Sequence, residues 1–170
     1  MAFNIADFQS NFLGDGARPN LFEVQVTRLG QDFSFVCKAA QLPGSTIGVV
    51  EVPYFGRAIK YAGNRTFQEW TVTILNDENF EARNTLELIM ADINSHEGNL
   101  ATLLQDGYSF NADVIQYGKT GDELKRYTFN GMFPTDISPI DLDWGSNDTI
   151  EEYQVTFAYQ YWTSPTSAAT

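Results

Sequence analysis

The chain has 170 residues with 22 Asp and Glu against ten Lys and Arg, a formal net charge of −12, and its length suits one domain that can bury a core without staples. The single cysteine, Cys37, excludes an intramolecular disulfide and a cysteine-built metal site, and no stretch approaches the roughly 18 apolar residues of a membrane span. Residues 1–75 carry six basic and six acidic side chains and residues 76–170 four and sixteen; such acidity argues against phosphate tracking and suits either plain solubility or a surface that nucleic acid passes without sticking.

In chain order, residues 1–17 read as an N-terminal arm ending in the turn signal Gly14-Asp15-Gly16. Met1–Asp7 lacks the basic and apolar regions of a secretory signal, so a soluble protein finished inside a cytoplasm is expected. After Pro19, Leu21–Arg28 alternates, with Phe22, Val24 and Val26 inward and Glu23, Gln25 and Thr27 outward. The run Phe33–Lys38 is expected to return as its hairpin partner, with Cys37 a small buried hydrophobe on the face of Phe33 and Phe35. Residues 43–66, punctuated by Pro43-Gly44 and Pro53, form an extended loop or hairpin with short strands near Val49–Val52 and Ala58–Tyr61; so long an excursion from a compact domain is often functional. Thr66–Leu75 is a strand with Trp70, Val72 and Ile74 on its core face.

Asn76-Asp77-Glu78 supplies capping and first-turn acids for one helix over about residues 79–94, whose Ala82, Leu86, Ile89 and Ile93 recur at helical spacing. The chain is then irregular until the strand Ala112–Tyr117. Gly118–Asp122 turns into Leu124–Phe133, with Tyr127, Phe129 and Phe133 on one face, and Pro134 and Pro139 bracket a loop. Ile150–Trp162 is the longest alternating run, with Tyr153, Val155, Phe157, Tyr159 and Tyr161 on one face, and residues 163–170 form a loose tail.

The inventory for catalysis is thin. His96 is the only histidine, no Gly-x-Ser-x-Gly elbow exists, and Gly118-Lys119-Thr120 lacks the upstream glycine of a phosphate loop. Asp141, Asp143 and Asp148 do not fit a calcium loop, because Leu142 and Trp144 interrupt it and the central glycine is out of place. Nothing singles out a carboxylate pair for glycoside hydrolysis. No enzyme, cofactor or metal is therefore expected.

Three blocks in order carry a family resemblance. The first is Ala17-Arg18-Pro19-Asn20-Leu21-Phe22, then Leu29-Gly30-Gln31 and Cys37-Lys38-Ala39. The second is Asn64-Arg65-Thr66-Phe67, Trp70-Thr71-Val72-Thr73 and Asn76-Asp77-Glu78, and the third is Leu142-Asp143-Trp144, Ser146-Asn147 and the closing Tyr161-Trp162. Together they resemble the tail tube proteins of contractile-tail, myovirus-type bacteriophages; departures cluster between about 94 and 125. The resemblance implies a single, mainly β domain over 1–170, with a β-sandwich or barrel-like core and one flanking helix. It implies six subunits closing into a ring around a continuous inner β-barrel, and rings stacking into a tube that conducts DNA during ejection without binding it tightly. Sheath, baseplate and tail terminator proteins would be the partners, and the virion tail, assembled in the host cytoplasm, the location. A tube subunit of a related contractile injection or secretion apparatus is one alternative. Another is a monomeric β-sandwich with Trp70, Trp144 and Trp162 as ligand-stacking residues.

Within that frame, Val49, Val50, Val52, Tyr54, Phe55 and Ile59, flanked by Arg57, Lys60 and Arg65, are expected to form the contact between stacked rings, because folded monomers rarely expose so much apolar surface. The polar strand faces are the candidates for the lumen: Glu23, Gln25 and Thr27; Glu69, Thr71 and Thr73; Glu152, Gln154, Thr156 and Gln160.

Overall fold

A computed structural model describes Ile5, Ser10 and residues 16–30 and 33–167; the expected N-terminal arm falls almost wholly outside them. The chain is mainly β. Its strands are β1 (Phe22–Val26), β2 (Cys37–Ala40), β3 (Thr46–Tyr54), β4 (Arg57–Thr66), β5 (Trp70–Leu75), β6 (Phe110–Tyr117), β7 (Glu123–Ile137), β8 (Glu152–Ala158) and β9 (Tyr161–Thr163). Three helical segments intervene: α1 (Phe33–Val36), α2 (Glu81–Ile93) and α3 (Gln105–Tyr108).

Seven strands form one antiparallel sheet in the order β1-β6-β7-β8-β5-β2, with β9 added on β7. The long strand β7 links the halves: up to Met132 it pairs with β6, and from Phe133 it pairs with β8. Side chains from strands at both ends of that order, Val24 and Val26 on β1 and Cys37 on β2, enter the same buried cluster as Trp70, Val72, Ile74, Phe129, Val155 and Phe157. The sheet therefore curls around one core, as a barrel-like fold should, but does not close. Helix α2 seals it with Leu86 and Ile89, both buried, while Arg83 lies 5.2 Å from the centroid of the Tyr153 ring. The Asp77 carboxylate accepts the Glu81 N–H at 3.2 Å, but the N-cap position falls later than the sequence suggested, on Phe80, which makes no side-chain cap bond.

Several expectations change. Phe33–Val36 is a helical turn, not a strand, and only Cys37–Ala40 is extended. Phe33 and Cys37, both buried, are four residues apart, a spacing that a helical turn and an alternating strand share in so short a run. The partner of β2 is β5, with Cys37 opposite Ile74, and β1 pairs with β6. Phe133 leaves the face of Phe129 because a bulge intervenes: Ala112 opposes Phe129 while Phe110 opposes Met132. Gly131 occupies the bulge with φ +63, and Phe129 and Met132 become the buried pair. Pro134 lies inside β7 and not at a loop edge. The run Ile150–Trp162 divides into β8 and β9, although both run along β7 in one continuing register, Phe133 opposite Ala158 and Asn130 opposite Tyr161. Thr163 belongs to β9 and Ser164 is buried, so the chain stays folded past the expected start of the tail.

Candidate assembly surfaces

Strands β3 and β4 form a two-stranded sheet of their own. All nine residues of β3 and all of β4 except Gly63 are exposed. The tip is a two-residue turn, Phe55 at φ 43 and Gly56 at φ 82, the pairing of positive angles that matches the twist of a tight hairpin. Register then decides the faces, since residues directly opposite share one. Val50 opposes Tyr61, Val52 opposes Ile59 and Tyr54 opposes Arg57, so one face is an apolar stripe with a cation near its end. The other carries Val49 with Ala62, Glu51 with Lys60 and Pro53 with Ala58. At the root a bulge falls between Ile47 and Val49, where a Cβ on Gly63 would meet the Gly48 carbonyl oxygen at 3.0 Å. Indole N–H groups brace the approach to this ribbon: Trp70 donates to Gln41 O at 2.7 Å and Trp162 to Gly44 O at 3.1 Å.

The residues expected to stack rings thus share one exposed hairpin but divide between its faces. Val50, Val52, Tyr54, Arg57 and Ile59 lie together; Val49 and Lys60 lie behind them. Lys60 is already engaged by Glu51 at 3.4 Å, whereas Arg57 and Arg65 form no ion pair among the described residues. Sequence reasoning missed Tyr61, 57% exposed. The signal was present: a two-residue turn at Phe55-Gly56 places Tyr61 opposite Val50.

The polar faces split into two patches. Thr71, Thr73, Glu152, Gln154 and Thr156 adjoin on β5 and β8: Thr71 opposes Thr156 and Thr73 opposes Gln154. The Thr71 and Thr156 hydroxyl oxygens lie 3.3 Å apart, and Lys38 pairs with Glu152. Glu23 and Gln25 stand apart on the edge strand β1, with Thr27 in the turn just after it. There Gln25 Nε2 donates to Glu23 Oε1 at 2.8 Å and the Tyr117 hydroxyl to Glu23 Oε2 at 2.6 Å, holding the Glu23 carboxyl below its ordinary pKa. With Asp113 they line a groove of about 500 Å³. Glu69 precedes β5 and Gln160 sits in the break between β8 and β9, so neither lies on a strand.

Trp70 is 2% exposed and packs its ring 4.6 Å from that of Phe129, so it is a core residue and not a platform for ligand. Trp162 is half-buried; Trp144, in the loop between β7 and β8, is fully exposed. Among the described residues no group of three or more His, Cys, Asp or Glu side chains could hold a metal ion, and no helix is long and apolar enough to cross a membrane.

A curled sheet whose end strands, among the described residues, pair on one side only (β1 with β6, β2 with β5) and an exposed apolar ribbon are surfaces of the kind that a structural, self-assembling module presents. The phage tail tube protein family model matches residues 6–164, and tail tube protein gp19 of Enterobacteria phage T4 is 40% identical over 151 residues, 88% of this chain and 92% of that protein. The tail tube protein of Serratia phage KSP90 is 25% identical over 130 residues, 76% and 73% of the two chains. The chain therefore belongs to the phage tail tube protein family, and is a structural component of the virion tail. Solved structures share the fold. A chain of the anti-feeding prophage baseplate superposes with a TM-score of 0.68 at 13% identity, covering 89% of this chain and 97% of that one. A chain of the sheath–tube complex of an extracellular contractile injection system gives 0.62 at 14%, covering 96% and 98%.

Proposed function

We propose that six copies close into a ring whose inner strands form one continuous barrel, and that rings stack through the β3–β4 ribbon into the inner tube of a contractile tail. The observation that carries the stacking reading is the ribbon itself, whose apolar stripe is left in water by the single chain. Among the described residues β1 pairs only with β6 and β2 only with β5, which supplies a reason for ring closure, since an unpaired strand edge is satisfied when a neighbour covers or pairs with it. The ring encloses the polar patches, with Thr71, Thr73, Gln154 and Thr156 the best candidates for the lumen: they are uncharged, adjoining and backed by core. The tube in turn is sheathed and joined to baseplate and terminator proteins, as relatives of this fold are found in such machines. It works without catalysis, and DNA passes without tight binding because an uncharged wall on a subunit of net charge −12 offers phosphates few cationic partners.

Replacing residues 46–62 by a short Gly/Ser link tests the stacking role. The ribbon contributes nothing to the buried core, so the variant should fold and form rings that do not polymerise. Normal tubes from this variant, seen by electron microscopy, would overturn the assignment. Retardation of double-stranded DNA by intact tubes, relieved by salt, would count against free passage.

A further inference from the structure

The loop between β7 and β8, residues 138–151, has the inverse chemistry of the ribbon. Ile140 packs partly against the core, but three of the loop's apolar side chains stand in solvent: Leu142 is 80% exposed, Trp144 102% and Ile150 68%. Asp141, Asp143, Asp148 and Glu151 accompany them, and the segment contains no Lys or Arg. The loop is held in shape at both ends. The Ser138 N–H donates to Gln154 O and the Ser138 hydroxyl accepts the Gln154 N–H, each at 2.8 Å, while the Asn76 N–H and side-chain amide donate to the Glu151 carbonyl and carboxylate at 2.9 Å. Between these anchors Asp143 accepts the Gly145 N–H at 3.0 Å, and the loop borders a cleft of about 420 Å³.

The ribbon presents the complementary set. Phe55 is 91% exposed at its tip, with its ring edge-on to Tyr54 at 4.7 Å, and Arg57 shares the face of Tyr54. Residues 43–66 carry three basic side chains and one acid, and that acid is engaged by Lys60. At about 3.3 Å per residue, the ribbon projects its tip roughly 30 Å along the strands, far enough to reach a neighbouring molecule.

We propose that loop 138–151 of one copy is the receptor for the ribbon tip of another, with Tyr54 and Phe55 packing on Leu142 and Trp144 and Arg57 facing Asp141 and Asp143. The assignment rests on the reading of the ribbon as an assembly contact and names where it docks. A second copy is the fitting occupant because both halves of the match, apolar against apolar and cation against carboxylate, reside on this one sequence. Within a single chain Phe55 and Trp144 are each almost wholly in water, so they do not meet there. Donor and receptor are different surfaces, which makes the contact heterologous and able to propagate. An arginine beside an exposed indole adds a cation–π attraction that strengthens on desolvation.

A photo-crosslinking benzophenone amino acid in place of Phe55, in the assembled full-length chain, tests this by peptide mapping. Adducts joining two copies within residues 138–151 are expected. Adducts joining two copies elsewhere would overturn the receptor assignment and leave the ribbon an assembly contact; adducts confined to one chain, or none, would overturn both. Charge exchange gives a second measure. Arg57→Asp should raise the critical concentration for assembly about tenfold, and D141R or D143R in the same chain should restore most of that loss. Restoration by neither would refute the pairing.

Discussion

The division of the ribbon into an apolar and a mixed face predicts that two sets of substitutions on the same hairpin have unequal effects. In the first variant Val50, Val52 and Ile59 become Thr, which keeps β-branching and places a hydroxyl where a methyl group stood in each valine and the ethyl group stood in Ile59. These side chains are 52%, 46% and 44% exposed in the single chain, so the unassembled protein should lose less than about 0.5 kcal/mol per site. If stacking buries them, each unpaired hydroxyl costs about 1–3 kcal/mol. Three sites then amount to at least about 3 kcal/mol per contact, roughly a hundredfold in affinity. In the second variant Glu51 and Lys60 on the opposite face become Gln, removing a solvent-exposed pair worth about 0–1 kcal/mol. Sedimentation of assembled from unassembled protein over a concentration series gives the critical concentration of each, and thermal unfolding below that concentration checks the fold. The first variant should raise the critical concentration by about two orders of magnitude and the second by less than about fivefold. Equal effects, or a first variant that assembles normally, would refute the one-faced reading of the ribbon.

Trp70→Phe should destabilise the domain by about 2–4 kcal/mol, from the lost bond to Gln41 O plus incomplete filling of the site, seen as a fall of about 5–15 °C in the unfolding midpoint. Glu23 contributes stability above the ordinary carboxyl pKa of 4.5 that is lost as pH falls through its lower folded value. Glu23→Gln should therefore flatten the acid limb of a stability–pH curve below about pH 4.5, and an unchanged limb would show that the Gln25 and Tyr117 bonds do not act in this way. Burial pushes the Cys37 thiol up to about 12, so a thiol reagent at pH 8 should label it only when the domain opens, at a rate that rises with denaturant.

The core was legible where a strand meets one core and one solvent face. Trp70, Val72 and Ile74 alternate cleanly because β5 lies between β8 and β2 with a single apolar side. The ribbon was legible for a different reason, as glycines, prolines and apolar residues mixed too long to be a turn. Faces beyond a bulge were not legible: the extra residue at Gly131 depends on pairing with β6, and no periodicity within β7 displays it. Nor was Ile115, buried at 0% on the side of the sheet that carries Asp113. It lies in register between Glu23 and Arg126, and Arg126 also engages Asp113 at 3.1 Å and Glu123 at 2.8 Å, a setting assembled from three strands. Among the assembly residues, the segment could be found by composition, but which side each residue takes required the register.

Pro53 gives the ribbon a property its side-chain faces do not. With Tyr54 and Arg57 closing the two-residue turn, Pro53 and Ala58 form the next pair, one whose backbone groups point away from the partner strand. The missing N–H of Pro53 therefore falls on the outer margin of β3, where an incoming strand would look for a donor. The kink at Gly48 and Gly63 interrupts the same margin nearer the root. An exposed strand margin is open to sideways pairing, and the missing donor at Pro53 weakens the β3 margin near the tip as a place for it to start. Near its tip the ribbon is therefore easier to cover across its flat side than to extend along the β3 rim.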